Sequence, residues 1–332
     1  MRAVTVCLCV LLTACGAKTG RIPVRIAATG PVVEMHFLPV TLAATLGYYQ
    51  EEGLDVTLEN MPSSVKTLEA LMGSSADAAS VGYLQAIQMA ASGQRIRCFF
   101  VGNQRVNFAL VTSPRAKKKI ERVEDLAGAL IGVTSPGSPS HQWVNYTLAK
   151  HGVNPADVRS VGIGGGATAM AALDSGRIDA AGFAGGNHIR YVGQHPEARV
   201  LVDGSSPEAM RETFGGDLFA SGTLAAKQEW LDRNPDTARH LCRALQKALR
   251  WIAGHTPEEI RERLPEASRS QDVALDLAII RWGKSGHTPD GRMPPGAPEA
   301  VKRFLDFTSD QIRDAKIDLA ATWTNEFLEG SK

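Results

Sequence analysis

The chain has 332 residues, of which 44% are hydrophobic and 21% charged, a composition typical of globular proteins and sufficient for two domain-sized cores. Its formal net charge of +1 leaves no basic excess to attract nucleic acid, so no nucleic-acid partner is predicted. Beyond the N-terminal segment, no stretch has the roughly 18 uncharged apolar residues that indicate a transmembrane helix.

The N-terminal segment has the pattern of an export signal. A positively charged start is followed by an apolar run over residues 3–12 and by small residues that end in Cys15. The run is too short to span a bilayer. Residues 12–15 (LTAC) resemble the lipobox at which bacterial lipoproteins are cleaved and acylated. We therefore expect a signal peptide over 1–14, lipidation at Cys15 and a tether over 15–22 that anchors the protein to a membrane. An ordinary signal peptide with a chance cysteine is the alternative.

Two cysteines lie beyond the signal and lipobox. Cys98 belongs to the apolar run over residues 96–101, and Cys242 belongs to a helical stretch. Cysteines in such surroundings are commonly buried as free thiols, so we predict no disulfide framework.

The first third of the mature chain alternates between strand and helix patterns. Strands are predicted near residues 24–27, 54–58 and 78–81, and helices near 38–49 and 64–71. Strand and helix in regular succession favour a parallel sheet covered by helices, so the predicted class is α/β.

A second feature is an internal sequence repeat. Residues 70–79 (ALMGSSADAA) are matched by residues 172–181 (ALDSGRIDAA), and in both a helix ends at small residues before an aspartate opens a short strand. Chance similarity is the alternative; the preferred interpretation is two α/β lobes of related build. The predicted division is a first lobe over 23–112, a second lobe over 113–216, and a return to the first lobe with C-terminal helices over 217–332.

One long helix is predicted in the C-terminal part. Asn234 is a suitable N-cap, Pro235 suits the first helical position, and leucines at a spacing of four continue the helix to about residue 252. Residues 287–298 contain four prolines and are predicted to form a loop before two final helices.

A glycine-rich segment raises the question of a dinucleotide. Residues 162–167 (GIGGGA) fit the pattern G-x-G-x-x-A after a predicted strand. A dinucleotide site also needs an acidic residue about 20 positions later, at the end of the next strand, whereas Asp179 is closer and begins that strand. We therefore predict no cofactor, and expect these glycines to let the backbone approach a ligand or a facing lobe.

Residues 134–141 (TSPGSPSH) lie between a predicted strand and a predicted helix. Ser138 suits the N-cap and Pro139 the first helical position, which leaves the following amides free to bind an anion. In this interpretation the hydroxyls of Ser138 and Ser140 donate to the anion, and His141 makes its affinity depend on pH. A plain capped helix is the alternative.

Three histidines, His36, His141 and His188, follow predicted strands. They lack the short spacings of metal ligands, and Glu34 is the nearest carboxylate in the sequence. We therefore predict no metal site and expect polar groups that orient a small ligand.

Several motifs together resemble a known family. Residues 47–56 (GYYQEEGLDV) are similar to a signature of bacterial solute-binding proteins of the SsuA/THI5-like group, which serve nitrate, sulfonate and taurine transporters. Residues 125–133 resemble the family's entry into the second lobe. Asp77 and Asp179 match its aspartate-led strands, and Asn234 with the following proline opens its long helix.

The resemblance implies a two-lobed periplasmic-binding-protein fold of type II, with mainly parallel sheets, two crossover strands and a small-molecule solute between the lobes. It implies a monomer without cofactor or catalytic residues that delivers its solute to an ABC permease. The implied ligand-binding residues lie in four loops: Gly30, Glu34, Met35, His36, Gly82, Tyr83, Ser135, Ser138, Ser140, His141, Gly185, Asn187 and His188. Residues 185–188 (GGNH) replace an aromatic stretch found in family members, so a particular sulfonate or pyrimidine ligand does not follow.

Two other functions share this resemblance. THI5-like thiamine-pyrimidine synthases are enzymes, but the cysteine cluster that binds their iron is not evident here. A sensor built from the same two lobes would need a signalling domain or partner. The sequence therefore favours a non-enzymatic, exported binding protein that captures an anionic or heteroaromatic solute by lobe closure.

Overall fold

The structure is a computed structural model that describes residues 20–29, 37–106, 108–216 and 218–329. The predicted signal peptide, Cys15 and the tether up to residue 19 lie outside the described residues. So do four predicted ligand-binding residues, Gly30, Glu34, Met35 and His36. Within the described ranges, no helix combines the length and apolarity needed to cross a membrane.

The described residues form ten strands in two five-stranded sheets. In chain order they are β1 (Ile22–Thr29), β2 (Leu54–Met61), β3 (Ala78–Val81), β4 (Ile96–Asn103), β5 (Phe108–Thr112), β6 (Leu130–Val133), β7 (Arg159–Gly162), β8 (Ala180–Ala184), β9 (Val200–Asp203) and β10 (Gly222–Lys227).

The two sheets have the same topology. The first has the order β2-β1-β3-β10-β4 and the second β7-β6-β8-β5-β9. In each sheet the first three positions are parallel, and the fourth is an antiparallel strand contributed by a crossover. The predicted fold class, two related α/β lobes with mainly parallel sheets and two crossover strands, is confirmed.

One predicted boundary differs from the sheet pairing. The sequence division placed residues 108–112 in the first lobe, but β5 pairs with β8 and β9 of the second sheet. The chain therefore leaves the first sheet between Asn103 and Phe108. The apolar pattern of this strand indicates burial, but its sheet is decided by long-range pairing that the local pattern does not encode.

The two crossovers lie side by side. The Phe219 amide donates to the Gln104 carbonyl at 2.9 Å, and the Ser221 amide donates to the Asn103 carbonyl at 3.0 Å. The sheets are thus connected by two hydrogen-bonded segments, an arrangement that can act as a hinge.

Fourteen α-helices occur in the described residues and cover the sheets. They are α1 (Leu38–Thr45), α2 (Tyr48–Glu51), α3 (Ser64–Met72), α4 (Tyr83–Ala91), α5 (Pro139–Lys150), α6 (Ala167–Asp174), α7 (Asn187–Gln194), α8 (Pro207–Phe214), α9 (Gln228–Arg233), α10 (Pro235–Gly254), α11 (Pro257–Arg263), α12 (Val273–Lys284), α13 (Ala297–Thr308) and α14 (Asp310–Asp314).

Two helix predictions show the strength and the limit of local patterns. The long helix α10 begins at Pro235, as predicted, but the Asn234 side chain donates to the Trp230 carbonyl at 2.9 Å instead of capping α10. The single helix predicted over 38–49 is divided into α1 and α2, because Gly47 between them has a left-handed φ of 78°.

Both described cysteines are free and buried, as predicted. The Cys98 thiol lies 3.1 Å from the Thr223 hydroxyl, and burial raises its pKa to about 12. The Cys242 thiol donates to the Phe99 carbonyl at 3.5 Å, so both side chains serve the core of the first lobe.

Candidate functional site

A cleft of about 950 Å³ separates the two lobes. Val81 and Gly82 line it from the end of β3, and Thr134 and Phe183 line it from the ends of β6 and β8. These positions are carboxyl ends of parallel strands, which is where α/β sheets bind ligands. The volume is near the upper end of the range of about 300–1,000 Å³ found for small-molecule sites.

Large apolar side chains cover much of the cleft. Four phenylalanines from both lobes contribute to it: Phe37, Phe108, Phe183 and Phe219. Met61, Leu84, Met170 and Ile279 add aliphatic surface. Such a lining favours a solute with an apolar or aromatic body, because burial of that body removes it from water.

Five helices begin at the cleft. Two belong to the first lobe and three to the second, and the residues at their starts that line the cleft are Ser64 (α3), Gly82 (α4), Ser138 (α5), Gly166 (α6) and Asn187 (α7). A helix start presents unpaired amide donors and the positive end of the helix dipole. The cleft therefore combines apolar walls with donor groups that suit an oxyanion.

The predicted helix start at Ser138 is confirmed, but its hydroxyls are already hydrogen-bonded. Ser138 Oγ accepts from the His141 amide at 3.4 Å and lies 3.0 Å from Ser140 Oγ. Ser140 Oγ accepts from the Thr134 amide at 3.0 Å and donates to Thr134 Oγ1 at 3.1 Å. Both serines line the cleft and are 1% exposed. Their hydroxyls fix the strand end to the helix start, and the expectation that they donate to an anion stays a prediction.

His141 is hydrogen-bonded within its own loop and helix. Its Nδ1 accepts from the Gly137 amide at 3.0 Å, and its Nε2 lies 3.4 Å from Asn145 Nδ2. Nδ1 must be unprotonated to accept this bond, and burial lowers the pKa of His141. His141 does not line the cleft, and its predicted effect on anion affinity stays a prediction.

The loop before α7 contributes one of its predicted residues to the cleft. Asn187 lines it and donates from Nδ2 to the Ala184 carbonyl at 2.8 Å. Gly185, with a φ of 64°, forms the turn behind it. His188 is buried, its Nδ1 is bonded to the Gly185 carbonyl at 3.1 Å, and its ring lies against Trp282. His188 therefore packs against the first lobe instead of lining the cleft.

Two other predicted residues lie outside the lining. The Tyr83 hydroxyl shares a hydrogen bond of 2.5 Å with Thr322 Oγ1 within the core, and burial raises the pKa of Tyr83. Gly82, one residue earlier, does line the cleft. Ser135 has a buried Oγ for which the described residues offer no partner, but it also lies outside the lining.

Sequence reasoning missed the charged residues of the cleft, which are Arg190, Arg269 and Asp276. Arg190 lies three residues after Asn187 on α7, and residues three apart share a helix face, so a helix starting at Asn187 would have indicated it. Arg269 and Asp276 come from the segment around the start of α12, far from any strand end in the sequence. Their position follows from tertiary packing alone.

The glycine-rich segment forms the start of α6. Gly164 and Gly166 have φ values of 69° and 57°, and both line the cleft with Gly165 between them. L-residues with side chains rarely adopt this conformation. The expectation that these glycines let the backbone approach a ligand stays a prediction.

The residues described contain no group of three or more His, Cys, Asp or Glu side chains that could hold a metal ion. His141 and His188 are each bonded to their own loop, and His36 lies outside the described ranges. The groups that line the cleft are helix-start amides, guanidinium groups and apolar walls.

Comparisons with known proteins agree with this geometry. A family model described as "NMT1/THI5 like" matches residues 34–260. A solved structure from Bordetella bronchiseptica RB50 is 32% identical, with a TM-score of 0.85 over 93% of this chain and 96% of that one. The riboflavin-binding protein RibY of Chloroflexus aurantiacus is 23% identical over 96% of this chain and 95% of its own. The alkanesulfonate-binding protein SsuA of Xanthomonas axonopodis pv. citri, solved with MOPS, is 18% identical and shares the fold, with a TM-score of 0.70 over 91% of this chain and 98% of that one.

Proposed function

The chain belongs to the NMT1/THI5-like family, and from that premise we propose that it is the solute-binding component of an ABC importer. It captures a small organic solute outside the cytoplasm and presents it to a permease in the membrane. The observation that carries this proposal is the cleft between two sheets that are linked by two short paired crossovers.

Capture proceeds by lobe closure. Each lobe supplies helix starts and apolar side chains to the same cleft, so a solute that contacts both lobes binds the closed form better than the open one. Differential binding of this kind shifts the equilibrium toward the closed form. The paired crossovers absorb the rotation with little change in either core.

The solute class is an organic molecule with an apolar or heteroaromatic body and an anionic or acceptor-rich end. The four phenylalanines support the apolar or heteroaromatic body, and the five helix starts support the anionic or acceptor-rich end. RibY is named for riboflavin and SsuA for alkanesulfonates, and both kinds of compound fit the description. Flavins and aryl or alkyl sulfonates are therefore the first compounds to test.

The test is a thermal-shift screen of flavins, sulfonates, aromatic acids and pyrimidines, followed by calorimetry of the best compound and small-angle scattering. A ligand at about 100 times its Kd adds about 2.7 kcal/mol to the stability of the folded form, which gives a clear shift. We expect stoichiometric binding and a smaller radius of gyration with ligand. An unchanged radius at saturation would contradict capture by closure.

The fate of the ligand distinguishes binding from catalysis. A binding protein releases its solute unaltered after denaturation, whereas a THI5-like enzyme would convert it. Recovery of a chemically altered ligand, or iron retained through purification, would favour the enzyme. A ligand-dependent signalling phenotype with normal import would favour a sensor.

The proposed location is at a membrane surface outside the cytoplasm, with Cys15 as the acylated residue. Labelled palmitate should enter the parent protein, and Cys15→Ser should abolish the label and release the protein or leave an uncleaved precursor. Equal labelling of the variant would contradict the lipoprotein assignment without affecting the binding proposal.

A further inference from the structure

We propose that Arg190 and Arg269, one from each lobe, bind one oxyanion group of the solute at a single corner of the cleft. The inference rests on the solute-binding function proposed above and adds to it the residues that select a charged solute. We call these two residues the arginine clamp.

The clamp spans both lobes. Arg190 lies on α7, which packs on the second sheet, whereas Arg269 lies between α11 and α12. Leu264 and Ile280, on either side of Arg269, are buried in the core of the first lobe. Both arginines line the cleft.

Asp276 connects Arg190 to the segment that carries Arg269. Its Oδ1 lies 3.4 Å from Arg190 Nη2, and its Oδ2 accepts at 2.8 Å from the amide of Ser270, the neighbour of Arg269. Asp276 itself is 5% exposed and lines the same cleft. The carboxylate therefore lies between the two guanidinium-bearing segments.

Asp276 is already satisfied by groups other than the clamp. Arg261 Nε donates to Oδ2 at 2.9 Å, and Ser270 Oγ donates to Oδ1 at 2.7 Å. Burial opposes ionisation, but the bonds from Ser270 and Arg261 outweigh it and lower the pKa of Asp276, so this carboxylate is charged at neutral pH.

A surplus of positive charge remains at this corner. Arg190 and Arg261 pair with the single carboxylate of Asp276, and Arg269 also lines the cleft, so positive charges outnumber the negative charge among these four residues. The contact of Arg190 with Asp276 is long and uses one amine, so its other donors are available. Among the residues described, none forms an ion pair or hydrogen bond with the Arg269 side chain.

A carboxylate, sulfonate or phosphate group matches this arrangement. A guanidinium group presents parallel N–H donors that bind two oxygens of such a group at once. Ile279 and Leu264 line the cleft beside the clamp and can contact the apolar body next to the charged group. Because the arginines come from different lobes, the oxyanion is held by both only when the lobes are closed.

The experiment compares matched probes by calorimetry on the full chain. The probes are naphthalene-2-sulfonate, 2-naphthoate and 2-naphthyl phosphate, each beside its neutral amide or alcohol, with inorganic sulfate as the smallest oxyanion. We expect the best anionic probe to bind at least tenfold more tightly than its neutral partner. Arg190→Met and Arg269→Met should each remove most of this preference and leave the affinity of the neutral partner within about twofold.

Matched variants separate charge recognition from loss of structure. Arg263→Met is the control, because Arg263 is exposed on α11, lies outside the cleft and pairs with no other described residue. It should keep the anion preference. Arg190→Lys keeps the charge but loses the planar pair of donors, so it should restore only part of the preference. Unfolding curves of each variant verify that the fold is retained.

Three results would overturn the clamp. These are equal binding of neutral and anionic probes, an unchanged preference in both methionine variants, and no binding of any oxyanion at millimolar concentration. A neutral compound that binds and reduces the radius of gyration would refute the clamp while preserving the solute-binding function. Failure of every compound to bind or to close the lobes would count against both.

Discussion

The turn after α3 in the first lobe and the turn after α6 in the second are built by matching hydrogen bonds from different residues. The Asp77 amide donates to the Arg25 carbonyl at 2.9 Å, and Asp77 Oδ2 accepts from the Arg25 amide at 2.9 Å. In the second lobe, the Asp179 amide donates to the Leu130 carbonyl at 2.8 Å, and Asp179 Oδ2 accepts from the Leu130 amide at 2.9 Å. Each aspartate thus joins the third strand position of its sheet to the second, which gives the repeated motif a physical role.

The surroundings of the two aspartates differ. Asp179 is 6% exposed and also accepts from the Lys117 amide at 3.0 Å, so both oxygens serve backbone donors. The Asp77 side chain is 23% exposed, and its other partner is the exposed guanidinium of Arg25 at 3.0 Å. The same backbone geometry is therefore supported in the second lobe by a buried carboxylate bonded to backbone amides, and in the first lobe by a partly solvated ion pair. Exposed ion pairs contribute about 0–1 kcal/mol, whereas a buried donor left without a partner costs about 1–3 kcal/mol.

The largest expected loss of stability follows from the difference in burial between the two aspartates. Asp179→Ala leaves the amides of Lys117 and Leu130 without their acceptors and should lower the free energy of unfolding by about 3 kcal/mol or more. Asp77→Ala should cost about 1–2 kcal/mol, because water can reach the groups it exposes. Urea unfolding of both variants measures the difference. Equal losses would show that burial does not distinguish the two turns.

A smaller loss of stability is expected from substitution of the residue with left-handed backbone in the turn after α6. Gly176 has a φ of 65°, and a Cβ there would lie 3.0 Å from the Arg115 carbonyl oxygen. Gly176→Ala should therefore cost about 1–3 kcal/mol through left-handed strain and the close contact. Gly215→Ala is a matched control, since that glycine has a φ of 71° but open space around its Cβ position. A loss no larger than that of the control would assign the whole effect to backbone strain.

In the first lobe, a serine adopts the left-handed conformation at the matching position of the turn. Ser74, at the position matching Gly176, has a φ of 61°, and it is the non-glycine residue with positive φ in the described chain. Ser74→Gly should relieve strain of about 1–2 kcal/mol. Part of this gain is offset because Ser74 Oγ accepts from Lys227 Nζ at 2.7 Å and because glycine is more flexible when unfolded.

The expected net change for Ser74→Gly is a gain of about 0.5–1 kcal/mol, measured by the same urea method. Lys227→Met removes the hydrogen-bond donor and serves as the control for the offset. A loss of stability in Ser74→Gly that persists in the Lys227→Met background would show that the serine conformation is not strained.

Local patterns predicted the parts of the fold that local chemistry determines. The similarity between residues 70–79 and residues 172–181 predicted two related lobes, and Ser138 with Pro139 predicted the start of α5. The placement of β5 in the second sheet depends on pairing with β8 and β9, and no residue within the strand encodes that choice.

The residues of the candidate site likewise divide into those that local sequence predicted and those that tertiary packing decides. Gly82, Ser138, Ser140 and Asn187 follow strands directly and do line the cleft. Arg269 and Asp276 reach it because α11 and α12 pack on the first lobe late in the chain, and the strand-end rule says nothing about such segments. The sequence did not predict the local bonds of Ser140 and His141, because short polar side chains next to a helix start bond to nearby backbone groups.

The smallest expected effect is a dependence of stability on pH that arises from two histidines of the second lobe. His141 and His188 both lie there, on α5 and α7, and burial lowers the pKa of each. In the unfolded chain a histidine titrates near its reference pKa of about 6.5, so below that pH the unfolded state binds more protons than the folded one. Stability therefore falls as the pH decreases from about 7 toward 5 and is regained as the pH rises.

Single substitutions test this dependence. His188→Gln and His141→Gln should each flatten the decline in the urea midpoint between about pH 7 and pH 5, because a neutral amide takes up no proton in either state. His151→Gln is the control, since His151 is exposed at the end of α5. Carboxylates with lowered pKa take up protons in the unfolded state mainly below pH 5, so they contribute little to the slope in this window. An unchanged slope in both variants would mean that these two histidines bind protons equally well in the folded and unfolded states.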